Sequence, residues 1–230
     1  MILLEDTQDT KHIAVVTKGV EKLPLCSAIY THYLRLHKKV SLVCYDKLDT
    51  KYSFLPWFDK VKEKIPSSVD LVVKVDFGVV ELYDFFTRHN LGINKKMATA
   101  IYAALLIEYN NFTSKQTNGM VFAIAGEMMA LGCDFENCSY FLNKRVALCK
   151  LRLKSLMLGN MYLQNGAKDA CFCISDDMLK SSGADLDDAF DILKEAIGLD
   201  YVERILLFKS DEDNKILKLI DKENNFEKKQ

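Results

Sequence analysis

Two short, nearly unbroken apolar runs, His12–Thr17 (HIAVVT) and Val40–Cys44 (VSLVC), enclose a segment in which Leu25, Ala28, Ile29, Tyr33 and Leu36 recur three and four residues apart. A β-branched run without polar alternation belongs to a strand covered on both faces, and the wider spacing belongs to a helix. The chain therefore opens with a βαβ unit, which demands a parallel sheet. Lys18–Lys22 supply the turn into the helix. Leu48–Val61, which contains Trp57, reads as a loop with one short apolar helix. Val69–Val75 (VDLVVKV) is a third strand, and it runs into Asp76-Phe77-Gly78. Ligands of open α/β sheets bind beyond the carboxyl ends of strands, so Asp76 is a candidate site residue by position alone.

From Val79 onward the period changes. Val79–His89, Lys96–Tyr109, Thr117–Leu131 and Phe135–Leu163 carry apolar residues three and four apart, with breaks at Gly92, Asn110–Thr113 and Gly132. The last stretch is long enough for a single connecting helix with Val146, Cys149, Leu153, Leu156 and Met157 on one face. Gly166 ends it, and Ala170–Ile174 (ACFCI) begins a second, α+β unit. Ser175 and Asp185 read as N-caps, Leu186–Ile197 as a helix stopped by Gly198, and Tyr201–Phe208 with Lys215–Ile220 as a hairpin around the turn SDEDN. The expected organisation is an extension over 1–10, an α/β lobe over 11–133, a helical connector over 134–165, a small α+β lobe over 166–220 and a fraying polar tail over 221–230.

Composition narrows the class. Across 230 residues, 31 Lys+Arg against 32 Asp+Glu leave a net charge of −1, so no global positive field draws the chain to nucleic acid or an anionic membrane. The longest charge-free apolar stretches, Met97–Ile107 and Gln116–Gly126, are far short of the roughly 20 helical residues that span a bilayer. The start, MILLEDTQDT, lacks a basic n-region, which predicts a cytosolic protein. Seven Cys without a CxxC pair, most of them inside apolar runs, read as reduced core thiols.

Most chemical motifs are absent or explained by structure. Asp76-Phe77-Gly78 spells the kinase magnesium triplet but lacks the surrounding kinase motifs, and there is no Walker A, GxGxxG, HExxH or GxSxG sequence. The acids Asp185, Asp187, Asp188 and Asp191 sit at a predicted helix start, where capping and dipole compensation explain them better than a hard cation does. Lys144, Arg145, Lys150, Arg152 and Lys154 make the long helix locally basic. Without interleaved aromatics this reads as a solvated face, with nucleic-acid binding as the competing use.

The order of elements resembles the DHH phosphoesterase superfamily, in particular its branch of RecJ-like single-strand exonucleases, short-RNA nucleases and 3′-phosphoadenosine phosphatases. Four stretches carry the resemblance. HIAVVTKGVEKLPLCSAIYTHYLRLHKKVSLVC has the frame of the first motif, and VDLVVKVDFG looks like the second, a strand ending in a metal-binding Asp. FAIAGEMMALGCDFENCSYFLNK is similar to the helical segment before the linker. GAKDACFCISDDMLKSSGADLDDAFDILKEAIGLDYVERILLFKSDEDNKILKLI resembles the opening of the associated C-terminal domain. The implied fold is α/β, with a parallel-sheet DHH-like N-terminal lobe, a helical connector and a small α+β C-terminal lobe.

The resemblance also implies what has been lost. In the family, clustered carboxylates and histidines hold two manganese ions that activate water and clamp the phosphate. With Ser27 laid on the first motif's Ser, Thr17 stands in place of the His, Glu21 at the first Asp and Leu23 at the second. Asp76 matches the second-motif Asp, and Thr87-Arg88-His89 stands where Asp-His-His is expected. The fourth acidic segment is missing between Tyr109 and Met120, and the GGGH substrate loop is absent. The expectation is a degenerate, non-catalytic homologue without a cofactor, binding a protein or a nucleotide in the cleft between its lobes and forming a homodimer through the N-terminal lobe. The rival expectation is a manganese-dependent phosphoesterase acting on short oligonucleotides or nucleotides. Its rebuilt site would use Glu21, Asp76 and His89, with Glu127 or Glu81 supplied by a helix. A third expectation is a nucleic-acid accessory protein that binds through Lys144, Lys150, Arg152 and Lys154.

Overall fold

A computed structural model describes residues 10–210 and 215–221. The expected N-terminal extension, the centre of the SDEDN turn and the polar tail beyond Asp221 lie outside the described residues. The chain divides into two compact units, 1–145 and 146–230.

In the first unit, β1 (His12–Thr17) is buried along its whole length, as its unbroken apolar run requires, and leads through a 3-10 turn into α1 (Leu23–Arg35). Pro24 in the first turn of α1 is pre-set for a helix start, where no backbone N–H is missed. The chain returns along β2 (Lys39–Cys44), makes 3-10 turns at Thr50–Tyr52 and Phe58–Lys60, and adds a two-residue edge strand β3 (Val61–Lys62). The expected short helix in this segment is thus two 3-10 turns and a strand. Trp57 sits between the turns in a left-handed conformation, φ 69°, with its indole N–H donating to Thr31 Oγ1 at 2.9 Å. The third strand of the apolar reading, β4 (Leu71–Lys74), is shorter than its apolar run, and just before it the Asp70 carboxylate accepts from the N–H groups of Lys11 and His12. The sheet is fully parallel in the order β3-β2-β1-β4.

Four helical segments follow: α2 (Val79–Arg88), α3 (Lys95–Glu108), α4 (Gly119–Ala130) and α5 (Phe135–Ser139). Ile13 and Val15 on one sheet face join Leu25, Ile29, Leu82 and Ile101 in the main core. On the opposite face Ala14, Val16 and Val43 are covered by Ile65 and Val69. His37, just beyond α1, is left-handed at φ 56°.

The single helix expected over 135–163 is broken. After α5 comes one π-helical turn, Tyr140–Lys144, then extended backbone at Arg145 and Ala147, and then α6 (Leu148–Gly159). The apolar spacing runs through the break unaltered. At the break Arg145 makes a distant contact: its Nη1 donates to Thr50 O at 3.1 Å while its guanidinium lies 5.2 Å from the Phe141 ring.

In the second unit α6 is followed by β5 (Tyr162–Gln164), β6 (Asp169–Ile174), α7 (Asp176–Ser182), α8 (Leu186–Ala196), β7 (Arg204–Lys209) and β8 (Lys215–Asp221). The sheet order is β5-β6-β7-β8, with β6 and β7 parallel and the outer pairs antiparallel, so the expected hairpin is present. Leu153, Met157, Ile192 and Leu193 pack on Phe172 and Leu207. Ser175 Oγ accepts from the Met178 N–H, and Asp185 and Asp188 form a reciprocal capping box, as the local sequence demands. No helix among the described residues is long and apolar enough to cross a membrane.

Candidate functional site

β1 and β4 are neighbours, yet the chain leaves β1 toward β2 on its other side, so the crevice beyond their carboxyl ends is the switch point of the sheet. A cleft of about 490 Å³ opens there. Its charged lining comes from Lys18, Glu21, Lys22, Lys74 and Asp76, its apolar wall from Val16, Ile65 and Val72, and Tyr45 stands at its edge, 55% exposed. Thr17, the last residue of β1, donates from Oγ1 to Gly19 O at 2.9 Å and so closes the loop on which Lys18 sits.

The Asp76-Phe77-Gly78 turn is held from two sides. Lys22 Nζ donates to Phe77 O at 3.0 Å and to Glu108 Oε2 at 3.3 Å, and the same Glu108 oxygen accepts from the Val79 N–H at 3.2 Å. Gly78 leaves room for this carboxylate: a β-carbon there would stand 2.7 Å from Glu108 Oε1 and press on it. The Gly78 N–H donates to Glu81 Oε2, which makes Glu81 a helix cap. The kinase-like triplet is therefore a strand-to-helix joint.

Of the residues singled out from sequence, Glu21 and Asp76 share the cleft. His89 does not line it; it ends α2, with its ring centroid 4.3 Å from that of Phe85. Glu127 accepts from the Tyr83 hydroxyl, whose pKa is raised first by that bond. Ser27 is fully buried and donates to Pro56 O at 2.7 Å, and Leu23 belongs to the core. Among the described residues no three His, Cys, Asp or Glu side chains gather to hold a metal. Two manganese ions require clustered oxygen and nitrogen ligands, and a cleft with two carboxylates among three lysines does not fit them. Burial raises the pKa values of the core thiols Cys26, Cys44, Cys133 and Cys171, so none is primed as a nucleophile.

The expected basic face is divided. Lys144 lies in the first unit, while Lys150, Arg152 and Lys154 lie on α6 of the second. Lys150 Nζ is 3.0 Å from Asp191 Oδ2, and Lys154 pairs with Glu195. Burial works to raise the Asp191 pKa, but hydrogen bonds from Lys194 and Lys150 hold it below the usual carboxylate value. Two of the three α6 cations are thus compensated by α8. Sequence reasoning passed over Lys18, Lys22 and Lys74; two of these flank strand tips, which was the available signal.

No family model and no curated protein matches the chain. Among solved structures it is similar to an exopolyphosphatase-related protein from Bacteroides fragilis, with a TM-score of 0.71 and 11% identity over 87% of this chain and 76% of that one. A putative family II inorganic pyrophosphatase from Methanococcus jannaschii is 14% identical over 86% and 83% of the two chains, with a TM-score of 0.32. At 11% identity the first likeness is one of fold, and it is the fold expected from the sequence: a parallel α/β lobe followed by a small α+β lobe.

Proposed function

We propose that this chain is a DHH-type phosphoesterase homologue that retains the fold without the two-metal reaction, and that its switch-point cleft binds a phosphorylated small molecule of the nucleotide class. The observation that carries this reading is the placement of Lys18 and Lys74 at the tips of β1 and β4, beside the apolar wall of Val16, Ile65 and Val72 and the Tyr45 ring, with Lys22 already engaged by Glu108. Two ammonium groups at the switch point of the sheet are positioned to contact a phosphate. The cleft's volume falls within the range of small-ligand sites, roughly 300–1,000 Å³. The apolar wall and the Tyr45 ring suit a base or other flat group.

The test is calorimetric titration of the protein with manganese and, separately, with nucleoside mono- and diphosphates, alongside turnover of a nitrophenyl phosphodiester and of short oligonucleotides. Nucleotide binding that weakens in Lys18→Ala and Lys74→Ala, without turnover, supports the reading. Manganese-dependent turnover abolished by Asp76→Ala overturns it and establishes the manganese phosphoesterase, built on Glu21 and Asp76, in its place.

A further inference from the structure

Glu21 is out of place in a cleft that takes only a phosphate. A carboxylate repels an anion and can do nothing but accept hydrogen bonds. Glu21 lines the cleft, is exposed, and among the described residues none donates to it or pairs with it. Its side chain folds back over the loop between β1 and α1, where a β-carbon on Gly19 would overlap both carboxylate oxygens. Gly19 has extended backbone, φ −101° and ψ 143°, which any residue adopts, so what the glycine provides is room for that carboxylate.

Backbone hydrogen bonds fix the order of side chains across the strand tips. The Tyr45 N–H donates to Thr17 O at 3.2 Å and sets Tyr45 on the β2 side of β1, while the Val75 N–H donates to Val16 O at 2.9 Å and sets Lys74 and Asp76 on the β4 side. Lys18 follows β1 between them. Glu21 lies toward β2: burial first, and then the charges of Asp46 and Glu21, raise the pKa of the Cys44 thiol at the end of that strand. From β4 to β2 the cleft therefore presents two ammonium groups, a carboxylate and an aromatic ring across two strand spacings, about 10 Å. A nucleoside monophosphate carries its phosphate, ribose and base in the same order.

Given the nucleotide reading of the cleft, on which this step rests, we propose that Glu21 accepts hydrogen bonds from the 2′- and 3′-hydroxyls of a ribose, so that the site selects ribonucleotides over their deoxy counterparts. Neighbouring hydroxyls can donate to the two oxygens of one carboxylate, and hydrogen bonds to a charged acceptor are the stronger kind. A bound nucleotide without those hydroxyls strips water from Glu21 and returns no donor, which is why a site built around a hydroxyl rejects the analogue that lacks it. Asp76, beside Lys74, stands at the phosphate end and does not read the sugar.

Calorimetric titration of the full chain with the four common ribonucleoside 5′-monophosphates, and with their 2′-deoxy and 2′,3′-dideoxy counterparts, tests this. The ribonucleotide that binds best is expected to bind about 10- to 100-fold more tightly than its dideoxy counterpart. In Glu21→Ala that ratio is expected to fall toward one, with the dideoxy nucleotide bound at least as tightly as by the wild type, since a repelling charge has gone. Equal binding of the ribo and dideoxy forms by the wild type, a preference that Glu21→Ala leaves unchanged, or a variant that weakens both forms alike, overturns the proposal and leaves the nucleotide site standing. Failure of every nucleotide to bind removes both.

Discussion

Lys22 Nζ and Glu108 Oε2, 86 residues apart in the chain, lie 3.3 Å apart and tie the start of α1 to the end of α3 at the tip of β4. Their side chains are 28% and 29% exposed, so the ion pair by itself is screened. More of the stabilisation comes from the Val79 N–H, which donates to the same carboxylate oxygen. Glu108→Ala leaves that donor and the Lys22 ammonium short of a partner. A loss of about 1–3 kcal/mol is expected in urea unfolding, with Glu108→Gln intermediate because it retains an acceptor.

Gly78→Ala is expected to destabilise the protein through one identifiable atom. The new methyl meets Glu108 Oε1 at 2.7 Å, and Glu108 is held by its bonds to Lys22 and Val79. The Gly78→Ala, Glu108→Ala double variant should therefore lose less than the two single losses together. Additive losses in the cycle would show that the obstacle at Gly78 lies elsewhere.

His32 is buried against Tyr33 and Phe86, and burial, then the nearby Arg35 charge, lower its pKa to about 4. In the unfolded chain it titrates at its ordinary value of about 6.5. Above that value both states are neutral and the group contributes no pH dependence. As pH falls from about 6.5 to about 4 only the unfolded state takes up the proton, so stability declines, by up to about 3 kcal/mol before solvent screening is discounted. His32→Phe should flatten this window in unfolding measured from pH 7 to pH 4.

Asp169 and Arg204 form a two-pronged pair across β6 and β7, both N–H···O distances being 2.7 Å. The Arg204 hydrogen bonds hold Asp169 below its usual pKa. A depressed carboxylate stabilises the fold above its unfolded value and loses that effect as pH falls through the lowered one. Arg204→Lys keeps the charge but not the fork, so the Asp169 pKa rises toward normal. The midpoint of acid unfolding of the variant should move to higher pH, read by circular dichroism.

How much of this was legible depends on how local the cause is. β1, β2 and the caps at Ser175 and Asp185 follow from neighbours within four residues, and the structure places them where the pattern did. The break after Lys144 was not legible, because nothing near Arg145 is a helix breaker and its partner is Thr50. Asp76 was legible as a strand tip. Lys18 and Lys74 carried the same strand-end signal, but their meeting was not legible, since it depends on β1 pairing with β4, with Val16 opposite Lys74. His89 matched a motif by position along the chain, but the α2 helix carries it to the Phe85 ring.

The α6 lysines offer a separation between a structural and a nucleic-acid role. Lys150 and Lys154 face Asp191 and Glu195 of α8, and at 23% to 52% exposure such pairs contribute about 0.2–1 kcal/mol each. Cations already paired within the chain release few counterions on meeting a phosphate backbone. Replacing both lysines with Ala should therefore lower the melting temperature slightly at low salt, with the difference shrinking as salt is added. Oligonucleotide affinity should not change across the same salt series. A steep salt dependence of oligonucleotide binding that the double variant flattens would instead assign this face to nucleic acid, and would mean that Asp191 and Glu195 yield their partners to phosphate.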